Sequence, residues 1–247
     1  MSLVDPSPAQ ETAIYDLVAP HWWDGSRKWV RTLHAMVPAR LRFFDAEAPG
    51  WDRGRVLDLG CAGGFMAEAI ARRGAEVSGI DPSAPALAEA VRHARREGLA
   101  IDYRHGAGED LPWADGHFDS VVCVDVLEHV RDLARVLSEV RRVLRPGGAF
   151  LFDTINRNPL AGFGVVTVAE RVLGLLPKGA HDPKLFIRPA ELRRELEALG
   201  FEVGRFRGLG PTGIDRRGDF RFGIVPFTGV IYIGTARGTA RGTARRG

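Results

Sequence analysis

The segment Val56-Leu57-Asp58-Leu59-Gly60-Cys61-Ala62-Gly63-Gly64 runs from an apolar stretch into a glycine turn just ahead of a helical pattern. Gly60, Gly63 and Gly64 can take backbone angles closed to other residues and let the main chain approach a ligand closely. In an open parallel sheet the end of such a strand is where ligands bind. Asp58 can hold the loop through hydrogen bonds or reach an amino group on the ligand. About 20 residues beyond the loop, Gly79-Ile80-Asp81 closes the next apolar run with a carboxylate able to take both hydroxyls of a ribose. Glu109 and Asp110, followed by Leu111-Pro112-Trp113, can accept from an adenine amino group while an apolar neighbour covers the base. Val124, Asp125, Glu128 and His129 gather after a further apolar run, where a group transferred from that ligand would lie.

The glycine pattern also excludes. A dinucleotide fingerprint would read Gly-x-Gly-x-x-Gly, but Ala62 stands where the second Gly belongs, and no Lys-Ser/Thr pair follows as a phosphate-binding loop requires. A pyrophosphate ligand, and with it a nucleotide-dependent oxidoreductase, is therefore disfavoured. The methyl of Ala62 is expected to be tolerable only with ordinary backbone angles. Taken alone the turn is equally well a plain strand-to-helix connection; the carboxylate of Asp81 at its distance is what favours a ligand.

These residues need a sheet to carry them. Residues 55–60, 75–80, 101–105, 117–126 and 147–155 are short apolar runs, each suited to a strand buried on both faces. Helical stretches at 64–73, 84–97 and 131–143 alternate with them, as parallel strands joined by crossover helices require. Arg145-Pro146-Gly147-Gly148 closes the last of these helices and turns the chain into the next strand. Upstream, helical spacing over 10–20 and 27–44, broken at Trp22-Trp23-Asp24-Gly25, gives helices that cover the domain. Trp22 and Trp23 either close over the ligand or simply pack in the core. An apolar, glycine-containing insert at about 157–181 lies over the mouth of the site. A helix at 189–199 and strands at 201–206 and 229–234 complete the domain.

The chain of 247 residues carries a formal charge of +3, with Lys only at positions 28, 178 and 184 and much of the excess in the last eleven residues, so charge gives no support for a nucleic-acid partner. Cys61 and Cys123 both read as buried strand ends, which argues against a disulfide framework and for a reducing cytoplasm. No run of about 18 apolar residues marks a membrane span; at most the 157–181 insert makes peripheral membrane contact. Gly-Thr-Ala-Arg, repeated from Gly234 to Arg245, has no large apolar side chain and is expected to be a disordered, basic tail.

Asp58-Leu-Gly-Cys-Ala-Gly-Gly64, Gly79-Ile-Asp81, the acidic turn at 109–110, the stretch 118–130 and Leu144-Arg-Pro-Gly-Gly-Ala-Phe150 follow in the order and spacing of class I S-adenosylmethionine-dependent methyltransferases. Residues 15–44, 153–160 and 176–192 further resemble blocks of the ubiquinone-biosynthesis O-methyltransferases. The resemblance covers about 14–206 and implies an α/β fold: a Rossmann-like, doubly wound, mainly parallel seven-stranded sheet. An N-terminal helical cap would span 1–50, the cofactor-binding domain 51–234 with its insert after the fifth strand, and the tail 235–247. It implies cofactor contacts at Arg40, Gly60, Asp81 and Val124, with 108–110 bordering the adenine. Asp58 and Gly63 join these from the residue-level reading.

The same resemblance places a metal-dependent cluster after the fourth strand. Its usual Glu-x-x-Glu-His appears here as Asp125, Glu128 and His129, candidate ligands for Mg2+ or another divalent cation. The expected acceptor is a phenol or catechol, in the family a polyprenylated quinone precursor. A phenol has a pKa of about 10, so lowering its proton affinity matters near neutral pH. Either His129 acts as base, or a cation held by Asp125, Glu128 and His129 stabilises the phenolate; capping or packing at a helix start is the structural alternative for His129. His181 and Arg188 have loop or cap roles, or touch the acceptor. C- or N-methylation of a small natural product, and a non-catalytic cofactor-binding assembly subunit, are the rival functions.

Overall fold

A computed structural model describes residues 16–175 and 180–239. The apolar runs form strands β1 (Arg55–Leu59), β2 (Glu76–Asp81), β3 (Ile101–His105), β4 (Phe118–Cys123) and β5 (Leu144–Ile155). They pair in parallel in the order β3-β2-β1-β4-β5. The connections are α2 (Phe65–Ala71), α3 (Ala84–Arg96) and α4 (Leu133–Val143), with α1 (Lys28–Glu47) preceding the sheet. The starts of α3 and α4 are set by side chains: Ser83 Oγ accepts from the Ala86 N–H and Asp132 from the Arg135 N–H, each satisfying an amide the helix itself cannot pair.

Alternation along the central strands divides the core between the two faces of the sheet. Leu57, Val121, Phe150 and Tyr232 pack with Val136, Leu137 and Val140 of α4. Their neighbours Val56, Val122, Leu151 and Ile233 pack with Met36 and Phe43 of α1 and Ile70 of α2. The period of two is what sends adjacent residues to opposite faces. β3 departs from the expectation of a strand buried on both faces: it is the sheet's edge, and only Ile101 and Tyr103 are half-buried, the other three being exposed.

The second half differs more. Nine strands are present among the described residues rather than seven. After the insert, α6 (Pro189–Ala198) leads into β6 (Phe201–Val203), then a hairpin of β7 (Arg207–Ile214) and β8 (Phe220–Val225), and β9 (Ile231–Gly238). The hairpin escaped the sequence reading because Gly208, Gly210, Pro211 and Gly213 dilute its strand pattern. Arg31 on α1 grips it by donating to both oxygens of Asp219 at 2.7 and 3.0 Å.

β9 corrects the expected disordered tail at 235–247. It runs antiparallel between β5 and β7 and pairs Ile155 with Ile231 through to Ala149 with Arg237. The first Gly-Thr-Ala-Arg copy is thus a central strand, with Thr235 and Ala236 buried. Small side chains suit it there, because Phe152 and Phe206 crowd Gly234 so closely that a Cβ would lie 2.6 Å from Phe206. The expectation for 240–247, like that of a helix over 10–15, falls outside the described residues. The insert is helical: a short α5 (Pro159–Gly162) continues into a π-helix, Phe163–Val172.

A chain ending at Gly234 loses the pairings of Thr235–Gly238 with β5 and β6. It should fail to unfold cooperatively in urea, whereas a chain ending at Thr239 should keep a single transition; equal transitions would mean that the half-strand is dispensable.

Candidate functional site

A cavity of about 330 Å³ opens where β1, β2 and β4 end, lined among others by Arg40, Asp58, Gly60, Gly63, Asp81, Glu109, Val124, Asp125 and His129. The glycine turn is built onto β2: Gly60 and Cys61 donate their N–H groups to the Ile80 carbonyl at 2.8 and 3.1 Å. Gly60 has φ +74°, and a Cβ there would fall 2.2 Å from Val126. Contrary to the expectation of ordinary angles, Ala62 sits at φ +43°. Its N–H is held by Asp81 Oδ2 at 2.8 Å, while Oδ1 takes the Ser83 N–H at 2.8 Å. Those bonds hold the methyl in a region that L-residues otherwise avoid.

The N-terminal cap is pinned to this turn. Trp22 lies so close to Gly63 that a Cβ would be 2.6 Å from its ring. Trp23 donates Nε1–H to the Gly63 carbonyl at 2.9 Å and stacks on His93 with centroids 3.5 Å apart. Trp22 therefore walls the cavity, and Trp23 braces it from outside.

Burial governs the site's electrostatics. Asp58 is 1% exposed, and its Oδ2 has no partner among the described residues; burial pushes its carboxyl up to about 7. Burial also lifts Asp81 to about 6, against the two amide bonds that favour its charge. Arg40 is buried too, but Asp125 and Asp153 more than offset that cost and hold its pKa above the ordinary value. Nε and Nη2 of Arg40 reach Asp153 at 2.6 and 3.2 Å, and Nη2 reaches Asp125 Oδ2 at 2.6 Å.

Asp125 stands at φ +56°, an angle Asp tolerates better than most residues, and its N–H is taken by Asp153 Oδ1 at 2.9 Å. The chain then makes a 3-10 turn, Leu127–His129. Glu128 Oε2 accepts from Thr154 Oγ1 at 2.6 Å, and burial, helped by the charge of Asp125, lifts its carboxyl to about 8. His129 is depressed to about 3, first by burial and then by His181, so its imidazole is neutral near pH 7.

The candidate ligand set Asp125, Glu128 and His129 is arranged differently from its order in sequence. The structure turns Asp125 to Arg40 and gathers Glu128, His129 and His181, with one ligand atom from each within 4.8 Å of the others. His181 comes from the far end of the insert; its ring centroid is 5.0 Å from that of His129. Its Nδ1 bonds Glu170 Oε1 at 2.7 Å. Asp110 is absent from the cavity lining, and Arg188 serves at the start of α6 beside Glu191. The sequence alone does not mark Asp153, Thr154 or Glu170 as site residues. An acidic residue inside the apolar β5 run was the one available signal for Asp153.

Residues 57–152 match the model of a methyltransferase domain. The chain is 41% identical over 208 residues to the ubiquinone biosynthesis O-methyltransferase of Acinetobacter baylyi, covering 83% of this chain and 86% of that protein. It is 43% identical to the enzyme of the same name from Thiobacillus denitrificans, covering 85% and 88%. Among solved structures it resembles magnesium protoporphyrin IX methyltransferase from Synechocystis, with bound S-adenosylhomocysteine, at TM-score 0.61 and 21% identity over 86% of each chain. That last likeness speaks for the fold.

Two outcomes follow from the geometry. Ala62→Gly relieves the left-handed strain and should raise stability in urea by up to about 1 kcal/mol; a loss of stability would mean that the methyl's packing outweighs the strain. Glu128 holds its proton up to about 8 against an ordinary 4.5, so the stability tied to that proton is complete below pH 4.5 and is lost as pH rises through 8. Glu128→Gln does not titrate. Its stability relative to the parent should therefore climb between about pH 5 and 8, and a flat difference would show that the carboxyl is not held protonated.

Proposed function

The chain belongs to the ubiquinone biosynthesis O-methyltransferases, and from that premise we propose that it methylates a hydroxyl of a phenol or catechol of the quinone-precursor type. It is an S-adenosylmethionine-dependent methyltransferase. The observation that carries the finer reading is that His129, which lines the cavity with Val124 and Asp125, converges with Glu128 and His181, neither of which is part of the lining.

Asp81 takes the ribose hydroxyls, since each of its oxygens carries one backbone N–H and keeps lone-pair capacity. Gly60 and Gly63 admit the ligand to the main chain, Glu109 borders the adenine, and Asp58, with its unpartnered Oδ2, receives the amino group. Arg40 and Val124 bound the methionine end. The acceptor oxygen then bonds the methyl carbon as the carbon–sulfur bond breaks, the electron pair stays on sulfur, and the hydroxyl proton leaves to a base. Placing the oxygen in line supplies much of the acceleration.

His129 lines the cavity with a neutral imidazole and is the candidate base. With a pKa of about 3 it is a weak one, so an additional charge is useful. Glu128, His129 and His181 fit a divalent cation: one carboxylate and two imidazoles converge, and Glu170, bonded to His181 Nδ1, holds that ring as carboxylates commonly hold a ligating histidine. This donor set suits a transition ion better than the all-oxygen surroundings Mg2+ prefers. Bound there, a cation would lower the proton affinity of the acceptor hydroxyl.

The insert presents Leu160, Phe163 and Leu173 to solvent, at 52, 61 and 39% exposure. This face supports contact with an acceptor's apolar tail or with a membrane surface; no described helix is long and apolar enough to cross a membrane.

Calorimetric titration with S-adenosylhomocysteine, then methyl transfer to a catechol panel with Mn2+, Mg2+ or a chelator, tests the reading. Binding and cation-stimulated turnover are expected. His129→Ala should cut turnover at least about 100-fold while leaving S-adenosylhomocysteine affinity within about threefold; full turnover in that variant would remove His129 from the chemistry, and no binding by the parent protein would sink the proposal.

A further inference from the structure

Two non-glycine residues among those described have left-handed backbones, Ala62 and Asp125. Each begins or shapes a loop leaving the cavity edge of the sheet, and each has its N–H captured by a carboxylate at the end of the neighbouring strand. Asp81 of β2 holds Ala62 beyond β1, and Asp153 of β5 holds Asp125 beyond β4. Asp81 also faces the ligand cavity. Asp153 does not: it is fully buried and absent from the cavity lining. Its Oδ2 accepts from Arg40 Nε at 2.6 Å, and its Oδ1 accepts from both Arg40 Nη2 at 3.2 Å and the Asp125 N–H at 2.9 Å.

The geometry points to Asp153 as a positioning residue that sets the loop carrying Asp125, Glu128 and His129, through its bond to the Asp125 amide and its grip on Arg40. Both holds act on one residue. The amide bond fixes the left-handed turn at Asp125, and Arg40, itself held by Asp153, takes the Asp125 carboxylate at 2.6 Å. A turn fixed at both its backbone and its side chain directs the next four residues. Thr154, adjacent on β5, takes the loop's other end by donating to Glu128. One end of β5 thus templates the whole segment from 125 to 128. Misplacement of a reacting group by about an ångström can cost about 100-fold in rate, so Asp153 should affect turnover without touching substrate or cofactor.

Asp153→Ala is an informative variant because Arg40 keeps Asp125 as a counter-ion and is not left as an unpaired buried charge. The kinetic arm rests on the methyl-transfer reading; an amide hydrogen-exchange arm does not. In Asp153→Ala, exchange across 124–130 should speed up at least about tenfold while the glycine turn at 56–64 stays protected. Catechol turnover should fall at least about tenfold in kcat, with S-adenosylhomocysteine Kd changed by less than about threefold. Asp153→Asn keeps one acceptor oxygen for three N–H donors and should fall between the variant and the parent in both arms. Unchanged exchange at 124–130 would overturn the inference, as would parent-like kcat, or a loss confined to cofactor affinity. Failure of both variants to bind S-adenosylhomocysteine as folded proteins would also overturn it, making Asp153 a residue of stability alone. Absence of turnover by the parent on every catechol would count against the methyl-transfer reading only, because the exchange arm needs no acceptor.

Discussion

Carboxylates withdrawn from water at one end of a sheet are the constraint on which this architecture turns. Asp58, Asp81, Glu128 and Asp153 are each at most 8% exposed around a single cavity edge, and Arg40 is the buried cation among them. Isolating an ionised carboxylate costs several kcal/mol unless it is paired, and the chain meets that cost in three ways. Backbone amides serve Asp81, a guanidinium serves Asp153, and proton retention serves Asp58 and Glu128, whose carboxyls rise to about 7 and about 8. Carboxyls that hold their protons by burial suit a ligand that carries cationic centres, and such a ligand would expel those protons as it binds.

The same carboxylates order the loops. Left-handed geometry at a non-glycine residue costs about 1–2 kcal/mol, and here it is spent at two positions whose amides meet a strand-end carboxylate. That repetition across β1–β2 and β4–β5 follows from parallel pairing: neighbouring strands end side by side, so a carboxylate on one reaches the first residues leaving the other. The buried carboxylates tie each loop to the neighbouring strand, and fixed geometry is what an in-line displacement asks of its surroundings.

How much of this was legible in the sequence depended on range. The glycine turn, Asp81 and the 124–129 stretch are local patterns, and their strands and helices appear within a few residues of where periodicity placed them. β3 misled because an apolar run does not say whether a strand is central or at an edge. β9 misled more, since Gly-Thr-Ala-Arg has no intrinsic reason to be a strand; its pairing with β5 and β7 makes it one, as tertiary context commonly does for β structure. The angle at Ala62 depended on a carboxylate 19 residues away. For His181 the sequence leaves a loop or cap role and contact with the acceptor both open, because its place beside His129, 52 positions earlier, is set by the folding of the insert.

That insert joins two requirements that are often separate. Its inner face is anchored by Ile155, Ala161, Val165 and Phe186 and carries Glu170, whose bond orients His181 toward His129. Its outer face exposes Leu160 and Phe163. A π-helix, with its wider turn, spans the two, in keeping with the frequent use of such helices at functional sites. On the proposed function, the surface that meets the apolar part of an acceptor and the side chains that manage its proton ride on one segment. Changes in the insert that alter which acceptor is held would then also move His181, so that acceptor preference and turnover shift together. This coupling offers a physical reason for the apolar and acidic residues of the segment to be interleaved rather than sorted.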